Sequence, residues 1–154
     1  MLVDSLIVPE CIFRPGSFTA LMTIYESNFI KLTHLSARLR LLLSTARPLL
    51  ISRSEPDCGL YLRLLRRETY TTTVNLTYWF EQDSAEPVAD PDLTLRIYHD
   101  ARLAEAVSGR QEHCHPQIRA LAPAHSVELD RRWRNNILLN KWLDYLLDMG
   151  HEFV

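Results

Sequence analysis

The sequence predicts an α+β domain: an antiparallel sheet of about five strands, flanked by a long N-terminal helix and a C-terminal helix that pack on one face. Two observations lead to this fold class. Apolar residues recur at helical spacing near both ends of the chain, and apolar and polar residues alternate strictly in its middle. Because the helical segments enclose the strands and do not alternate with them, the pattern favours antiparallel pairing over a parallel βαβ sheet.

The N-terminal helix is predicted from Ser17, a good N-cap residue, through a stretch without glycine or proline that ends at residue 46. One stripe of this helix carries its large apolar residues, namely Phe18, Leu21, Met22, Tyr25, Phe29, Leu32, Leu39 and Leu43. We expect residues 1–16 to form an N-terminal arm, because "RPG" at its end is a turn signal. Residues 17–154 then form a single domain.

Alternation predicts strands in "RPLLIS", "LYLRLLRR", "YTTTVNLTYWF", "LTLRIYH" and "LAEAV". For the second and third strands to share an apolar face, we expect Leu60 to face Leu76 across a connection of three or five residues, or across a bulge. The acidic stretch "EQDSAEPVADPD" is interpreted as a solvated loop, with a cation site from Asp83, Glu86 and Asp90 as the alternative. Residues 108–125 have no clean period and are predicted to be loop with one strand.

The C-terminal helix is predicted from Ser126 to Gly150, which as a C′ residue takes the left-handed conformation that ends a helix. Its apolar face is formed by Leu138, Leu139, Trp142, Leu143, Leu146 and Met149. Its opposite, solvent face is expected to carry Arg134, Lys141, Asp144 and Asp148.

Composition excludes several classes of protein. A formal net charge of −2 provides no long-range attraction to nucleic acid or to an anionic membrane, so neither is an expected partner. Three widely spaced cysteines without a CxxC motif indicate a reducing compartment, and no apolar run reaches the roughly 18 residues of a membrane span. We expect a soluble cytoplasmic protein. No cofactor is predicted, and partners other than a second copy of the chain are unknown.

The segment "LRIYHDARLAEAV" concentrates residue types that do acid–base chemistry. Treated as a hairpin, it pairs Tyr98 with Leu103 and Arg96 with Glu105, while Asp100 occupies a turn position that favours aspartate. Arg96 and Glu105 then form a cross-strand ion pair. His99 lies on the core side of the strand end, either as a hydrogen-bonded structural histidine or as a general base oriented by a carboxylate such as Glu26.

Four blocks of the chain, "IYESNFIKL", "ETYTTTVNLTYW", "LRIYHDARLAE" and "NKWLDYLLDMGH", resemble the YqiB-like family of small uncharacterised proteobacterial proteins (DUF1249). The family's motif positions correspond to Glu26, Asn28, Tyr70, Thr71, Thr72, Arg96, Tyr98, His99, Asp100, Glu105 and Trp142. The resemblance implies a bacterial cytoplasmic protein and no particular reaction. The sequence does not support a dehydrogenase activity, since the chain has only four glycines and lacks the GxGxxG motif that binds dinucleotides.

The face of the sheet opposite the helices is the strongest candidate for binding. The residues predicted to contact a ligand are Tyr61, Arg63, Tyr70, Trp79, Arg96 and Tyr98, together with Asn28 at the border of the helix stripe. Such a face is either an ordinary solvent surface or a platform for a small ligand or a second subunit. His113 and His115 in "HCHP" have the spacing of metal ligands on a strand, but no further ligand pair accompanies them, and no metal site is predicted.

Two functions therefore stay open. The first is a non-catalytic domain that binds a small ligand or another protein. In the second case, the partner could be a second copy of the chain, in a homodimer. The alternative is a small hydrolase-type acid–base enzyme centred on His99, with Asp100, Glu105 or Glu26 as its carboxylate. Whether the protein is an enzyme is undecided, although the absence of a nucleophile elbow favours the non-catalytic domain.

Overall fold

The computed structural model describes residues 18–36, 48–55, 57–80, 88–108 and 131–153. Their elements are α1 (Phe18–Leu35), β1 (Leu49–Ser52), β2 (Gly59–Arg67), β3 (Thr71–Phe80), β4 (Val88–Tyr98), β5 (Leu103–Ser108) and α2 (Arg131–Asp148). The five strands form one sheet in the order β1-β2-β3-β4-β5, with every neighbouring pair antiparallel. The predicted α+β class is confirmed. The predicted arm at residues 1–16 and the segment 109–130 lie outside the described residues.

One face of the sheet forms the core together with the two helices. Its buried residues come from alternate positions of the strands and include Leu60, Leu62, Val74, Leu76, Tyr78, Leu93, Leu95, Ile97, Ala104 and Ala106. Trp142 of α2 is fully buried against Tyr78, with the two rings nearly perpendicular at 5.9 Å between centroids. This edge-to-face geometry is one of the arrangements that aromatic pairs prefer. The helix therefore packs across the middle strand of the sheet.

A second apolar cluster lies where the helices meet the β5 edge of the sheet. It is formed by Ala20, Leu21, Ile24, Tyr25 and Trp133, with Met22, Leu103 and Ile137 packed against it. Phe18 was predicted to belong to the core-facing stripe of α1, and this prediction is wrong, because its side chain is 75% exposed. The buried face of α1 includes Ala20 and Ile24, and a face centred on these residues does not extend to the position of Phe18. Leu39 and Leu43 lie outside the described residues.

The β2–β3 register differs from the predicted one by two positions. Leu62, and not Leu60, faces Leu76, although both strands do turn their apolar residues to the same face. At the turn Arg67 faces Thr72, and continuing that register would set Leu64 against Asn75 on the polar face. A bulge at Leu65 inserts one residue and restores the apolar pairing, as the alternation of side chains requires.

β4 begins at Val88, inside the acidic stretch that was predicted to be a loop. Pro91 lies at an irregularity of the β3–β4 ladder, between the pair Thr77–Asp92 and the pair Trp79–Ala89. A proline has no N–H to give to a ladder, so it is tolerated at such a bulge. That prediction of a solvated loop is therefore wrong for residues 88–92, while Asp83 and Glu86 lie outside the described residues.

The β4–β5 hairpin has the predicted register, with Tyr98 facing Leu103 and Arg96 facing Glu105. The connection is a four-residue turn over residues 99–102, in which Arg102 adopts a positive φ of 58°. Its guanidinium lies over the Phe29 ring of α1 at 6.0 Å from the centroid. This contact ties the turn to the first helix.

A buried polar seam joins α1 to α2. Lys31 is fully buried and donates to Asp144 Oδ2 and to Asn140 Oδ1, each at 2.7 Å. Burial lowers the pKa of Lys31, while the hydrogen bond to Asp144 and its negative charge act in the opposite direction. The expectation that Asp144 lies on the solvent face of its helix is wrong. The sequence pattern missed it because a charged residue can be buried when its partner arrives from another helix.

The C-terminal end of α2 agrees with its prediction. Gly150 follows the helix with φ of 86°, and its N–H bonds the Leu147 carbonyl at 3.1 Å. After Gly150 the chain reverses direction, and the Phe153 N–H donates to the Leu35 carbonyl at the end of α1 at 2.9 Å. The left-handed glycine lets the last residues turn back over the core.

Candidate functional site

The face of the sheet turned away from the helices, which we call the polar face, collects most of the predicted ligand-binding residues. The pairing of the strands sets the following side chains on it: Ile51, Tyr61, Arg63, Thr71, Thr73, Asn75, Thr77, Trp79, Arg96, Tyr98 and Glu105. Because β3 separates β2 from β4, the predicted residues fall into two groups. One group lies on β2 and β3, and the other lies on β4 and β5.

The β2–β3 group is aromatic and basic. Tyr61 and Trp79 are in edge-to-face contact, with 6.4 Å between ring centroids, and the Arg53 guanidinium donates to the Tyr61 hydroxyl at 3.4 Å. Trp79 is 41% exposed, and Arg63 is exposed on the same strand as Tyr61. Tyr70 is exposed in the β2–β3 turn, away from this aromatic pair. The group forms an exposed aromatic and basic surface on the sheet.

A polar cluster lies between the two groups. Asn75 Nδ2 donates to Asp92 Oδ1 at 2.6 Å, and the Thr77 hydroxyl donates to the same oxygen at 3.1 Å. Asp92 thus accepts from both of its neighbours on β3. The cluster satisfies its own polar groups, which is the expected state of a partly buried hydrogen-bond network.

The β4–β5 group is a chain of charged and hydroxyl side chains. The Tyr98 hydroxyl donates to Glu105 Oε1 at 2.6 Å, and Arg96 Nη1 lies 3.8 Å from the same oxygen. The predicted cross-strand ion pair is therefore present, with Tyr98 as an additional donor. Burial raises the pKa of Tyr98, and its hydrogen bond to the Glu105 carboxylate acts in the same direction. Tyr98 thus stays protonated and keeps donating to Glu105 at neutral pH.

A cleft of about 590 Å³ opens beside this chain, at the β5 edge of the sheet. It is bounded by the sheet, by the first residues of α1 and by the start of α2. Its described lining residues are Phe18, Leu21, Arg96, Glu105, Ala106, Val107, Arg131, Arg132, Trp133 and Asn135. Three guanidinium groups thus surround one carboxylate in a cleft of the size that binds small molecules. Such a charge distribution favours an anion.

Two buried aromatic residues support the floor of the cleft. The Tyr25 hydroxyl is buried beside the Glu105 carboxylate, which acts on it both through its charge and as an acceptor, although the contact falls outside the geometry of a regular hydrogen bond. Burial first, and then the charge of Glu105, raise the pKa of Tyr25 to about 12, while the charge of Arg132 acts in the opposite direction. The Trp133 indole N–H is also buried, and it has no hydrogen bond with the described residues. Glu105 and Arg132 therefore both lie near one hydroxyl.

Of the cleft residues, only Arg96 and Glu105 were predicted as functional. Phe18 was predicted to be part of the core, and Arg131 and Arg132 of "RRWR", at the start of α2, were not singled out as functional. Two adjacent arginines next to a tryptophan were the only available signal. Nothing in a single sequence indicates that the start of one helix and the start of another meet at a sheet edge.

The predicted catalytic candidates are distributed over several places. The His99 ring Nε2 lies 2.7 Å from the Thr72 hydroxyl, on the core side of the sheet, and His99 is not among the lining residues of the cleft. Asp100 is exposed in the turn, and Glu26 is exposed on α1. The Thr72 hydroxyl is thus one hydrogen-bond partner of the His99 ring. The acid–base role of His99 stays a prediction.

Asn28 is fully buried on the helix side of the sheet, not on the polar face. Its amide donates to the Ala104 carbonyl of β5 at 3.3 Å, and its oxygen accepts from Asn140 of α2 at 3.0 Å. Asn136 of α2 completes the arrangement, since its oxygen accepts from the Ala106 N–H at 2.7 Å. Asn28 therefore joins both helices to the edge strand.

A serine, a histidine and an aspartate form a relay at the other end of the core. Ser52 Oγ lies 3.0 Å from His151 Nδ1, and His151 Nε2 lies 3.0 Å from Asp57 Oδ2. All three side chains are buried, and Ser52 Oγ also accepts the Glu152 N–H at 3.0 Å. A catalytic serine must reach its substrate, and this hydroxyl is covered by the C-terminal segment that supplies the histidine. The relay fastens that segment to β1.

Within the part of the chain that the structure describes, no group of three or more histidine, cysteine, aspartate or glutamate residues has the arrangement of a metal site. The "HCHP" residues His113, Cys114 and His115 lie outside that part. No helix among the described residues has the length and apolar character needed to cross a membrane.

Comparison with known proteins gives one match. A family model described as protein of unknown function (DUF1249) matches residues 32–152, which is most of the chain. No curated protein and no solved structure matches it. The matched range contains the whole sheet and α2. It also contains the charged residues that line the cleft, namely Arg96, Glu105, Arg131 and Arg132. The chain belongs to the DUF1249 family of proteins of unknown function.

Proposed function

We propose that this protein is a non-catalytic domain that binds a small anionic molecule in the cleft at the β5 edge of its sheet. The observation that carries the proposal is the convergence of Arg96, Arg131 and Arg132 on one cleft whose described lining contains a single carboxylate, Glu105. Guanidinium groups bind carboxylate and phosphate through paired, charge-assisted hydrogen bonds.

Arg132 is the best candidate for the main anion contact. Its guanidinium has no ion pair or hydrogen bond with the described residues, whereas Arg96 already faces Glu105. Among the described residues, none forms an ion pair with Arg132, so its guanidinium is the best placed of the three to bind a ligand. The apolar lining from Leu21, Val107 and Trp133 lowers the local dielectric, and this strengthens the attraction between opposite charges.

The volume of the cleft sets the size of the ligand. About 590 Å³ is in the range of small-molecule sites and far below what a folded partner or a nucleic acid duplex would fill. The net charge of −2 agrees with this choice, because the chain as a whole does not attract polyanions. A small anion, bound by a local concentration of arginine, fits both observations.

The test is a thermal-shift titration of the full chain with inorganic phosphate, citrate and benzoate. A ligand that binds only the folded state raises the Tm, and the increase grows with the logarithm of the ligand concentration once that concentration exceeds the Kd. We expect at least one of these anions to raise the Tm of the wild type, and R132Q to weaken that binding about tenfold or more, as a lost charge-assisted hydrogen bond predicts.

The matched control is R66Q. Arg66 is an exposed arginine of β2 whose guanidinium lies 3.3 Å from Glu68, and it is not among the described lining residues of the cleft. We expect R66Q to bind like the wild type. If no anion raises the Tm, or if R66Q weakens binding as much as R132Q does, the cleft is not an anion site.

A further inference from the structure

We infer that the bound anion also carries a hydroxyl or ammonium group, which donates a hydrogen bond to Oε2 of Glu105. This inference rests on the proposed anion site and defines the class of ligand that the site selects: small hydroxy or amino acids, or their phosphate counterparts, with an apolar group. The argument depends on how Glu105 is held, on what surrounds it, and on what lies opposite.

Glu105 is held through one of its two oxygens. Tyr98 donates to Oε1 at 2.6 Å, and Arg96 approaches the same Oε1 at 3.8 Å. Oε2 has no hydrogen bond with the described residues. A carboxylate can accept about four hydrogen bonds, two at each oxygen, so half of this carboxylate's capacity is unused. The pairing of β4 with β5 fixes the side chain in this orientation, because Arg96 faces Glu105 in the ladder.

Glu105 lines the cleft but is only 14% exposed, so water reaches it poorly. An acceptor that is mostly removed from water, and that receives no regular hydrogen bond from the described residues, favours a ligand that brings a donor. The nearby Tyr25 hydroxyl interacts with the carboxylate outside the geometry of a regular hydrogen bond, so it leaves room for a stronger donor. The requirement for a donor therefore falls on the ligand.

Glu105 and Arg132 are close enough to act on one ligand. Both residues line the same cleft, and the charges of both act on the Tyr25 hydroxyl. One small molecule in this cleft can therefore place an anionic group at Arg132 and a donor at Glu105. The apolar lining that remains, Phe18, Leu21 and Trp133, is suited to a hydrocarbon or aromatic group on the same molecule.

Three probes of the same shape separate these contributions. 3-Phenylpropionate offers the anion and the ring alone, 3-phenyllactate adds a hydroxyl beside the carboxylate, and phenylalanine adds an ammonium at the same carbon. Isothermal titration of each into the full chain gives the dissociation constants. We expect phenyllactate or phenylalanine to bind about tenfold or more tightly than phenylpropionate, because a site built to hydrogen-bond a donor rejects the analogue that lacks it.

The variant E105Q keeps an acceptor for Tyr98 and turns the free position into an amide donor. We expect its dissociation constants for the three probes to agree within about twofold, while the control E68Q, at an exposed glutamate of the β2–β3 turn, retains the wild-type preference. Circular dichroism confirms that each variant is folded. The wild-type comparison decides the inference even if E105Q does not fold.

The outcomes separate this inference from the proposed function. If the three probes bind the wild type equally, the inference is overturned and the anion site stands. The inference is also overturned if none of the three binds while phosphate or citrate still raises the Tm in an Arg132-dependent manner. If no anion of any kind binds, the proposed function itself fails.

Discussion

Replacing Lys31 with methionine removes the cation from the buried seam between α1 and α2 and leaves the Asp144 carboxylate without it. The two charged atoms are 2.7 Å apart, and both side chains are almost completely buried. Removing one member of such a pair costs about 3–5 kcal/mol of unfolding free energy, because the remaining charge stays desolvated. A domain of this size has roughly 5–15 kcal/mol in total, so K31M should be strongly destabilised and still foldable.

The double variant K31M/D144L gives the more informative number. It removes both charges, so the desolvated carboxylate disappears, but Asn140 Oδ1 still loses the donor that Lys31 provided at 2.7 Å. A buried acceptor without a partner costs about 1–3 kcal/mol, which is therefore the expected loss for the double variant. Because each single variant is expected to cost at least as much as the double one, the coupling between the two positions should be at least about 3 kcal/mol.

This coupling is measured by urea unfolding of the wild type, the two single variants and the double variant. Unchanged m-values would show that the variants differ in unfolding free energy and not in the surface that unfolding exposes. The exposed pair Arg66–Glu68 is the control, since its side chains are 73% and 53% exposed and its coupling should not exceed about 1 kcal/mol. If K31M costs less than about 1 kcal/mol, or if the buried coupling equals that of the exposed pair, the seam is not the desolvated ion pair described above.

Two further predictions concern Tyr25 and Ser52. The pKa of Tyr25 is raised from 10.0 to about 12, so the stability it contributes is complete below pH 10 and is lost as the pH rises through about 12. Between pH 10 and pH 12 the unfolding free energy of Y25F should therefore fall by less than that of the wild type, with a difference of up to about 2–3 kcal/mol. Urea unfolding at a series of pH values measures both. If the two unfolding free energies fall in parallel with pH, the pKa of Tyr25 is not raised. S52A should destabilise the protein by about 1–3 kcal/mol, because the His151 ring and the Glu152 N–H both lose their buried partner. The control is T23A, which removes a hydroxyl that donates to the Thr19 carbonyl of its own helix. Its unfolding free energy should stay within about 0.5 kcal/mol of the wild-type value. An S52A variant as stable as T23A would show that the relay does not fasten the C-terminal segment.

The β4–β5 hairpin shows how far local pattern reaches. Its register followed from the alternation of Leu95 and Ile97 with Arg96 and Tyr98 and from an aspartate at the turn, and the structure has the predicted pairs. The β2–β3 pair was predicted with the right face and the wrong partners. The alternation required a bulge or an odd-length connection and did not indicate that a bulge lies at Leu65, which moves the register by two positions.

The candidate site was predicted only where it lies on the sheet. Arg96, Tyr98 and Glu105 were found because neighbours in a hairpin are a few residues apart in the sequence. Arg132 and Phe18 were missed, since they reach the same cleft from two helices whose approach depends on long-range packing. Asn28, which was predicted as a ligand-binding residue at the border of the helix stripe, lies on the helix side of the sheet, where it bonds β5 and α2.

The sequence by itself determined the fold class, the five strands and the hairpin that positions Glu105, because periodicity and turn chemistry act over a few residues. Only the tertiary structure decided which charges are buried, which arginines converge, and whether a serine and a histidine 99 positions apart meet in a relay. These features depend on distances between elements, and such distances follow from the packing of the whole core, which no short segment of the chain encodes.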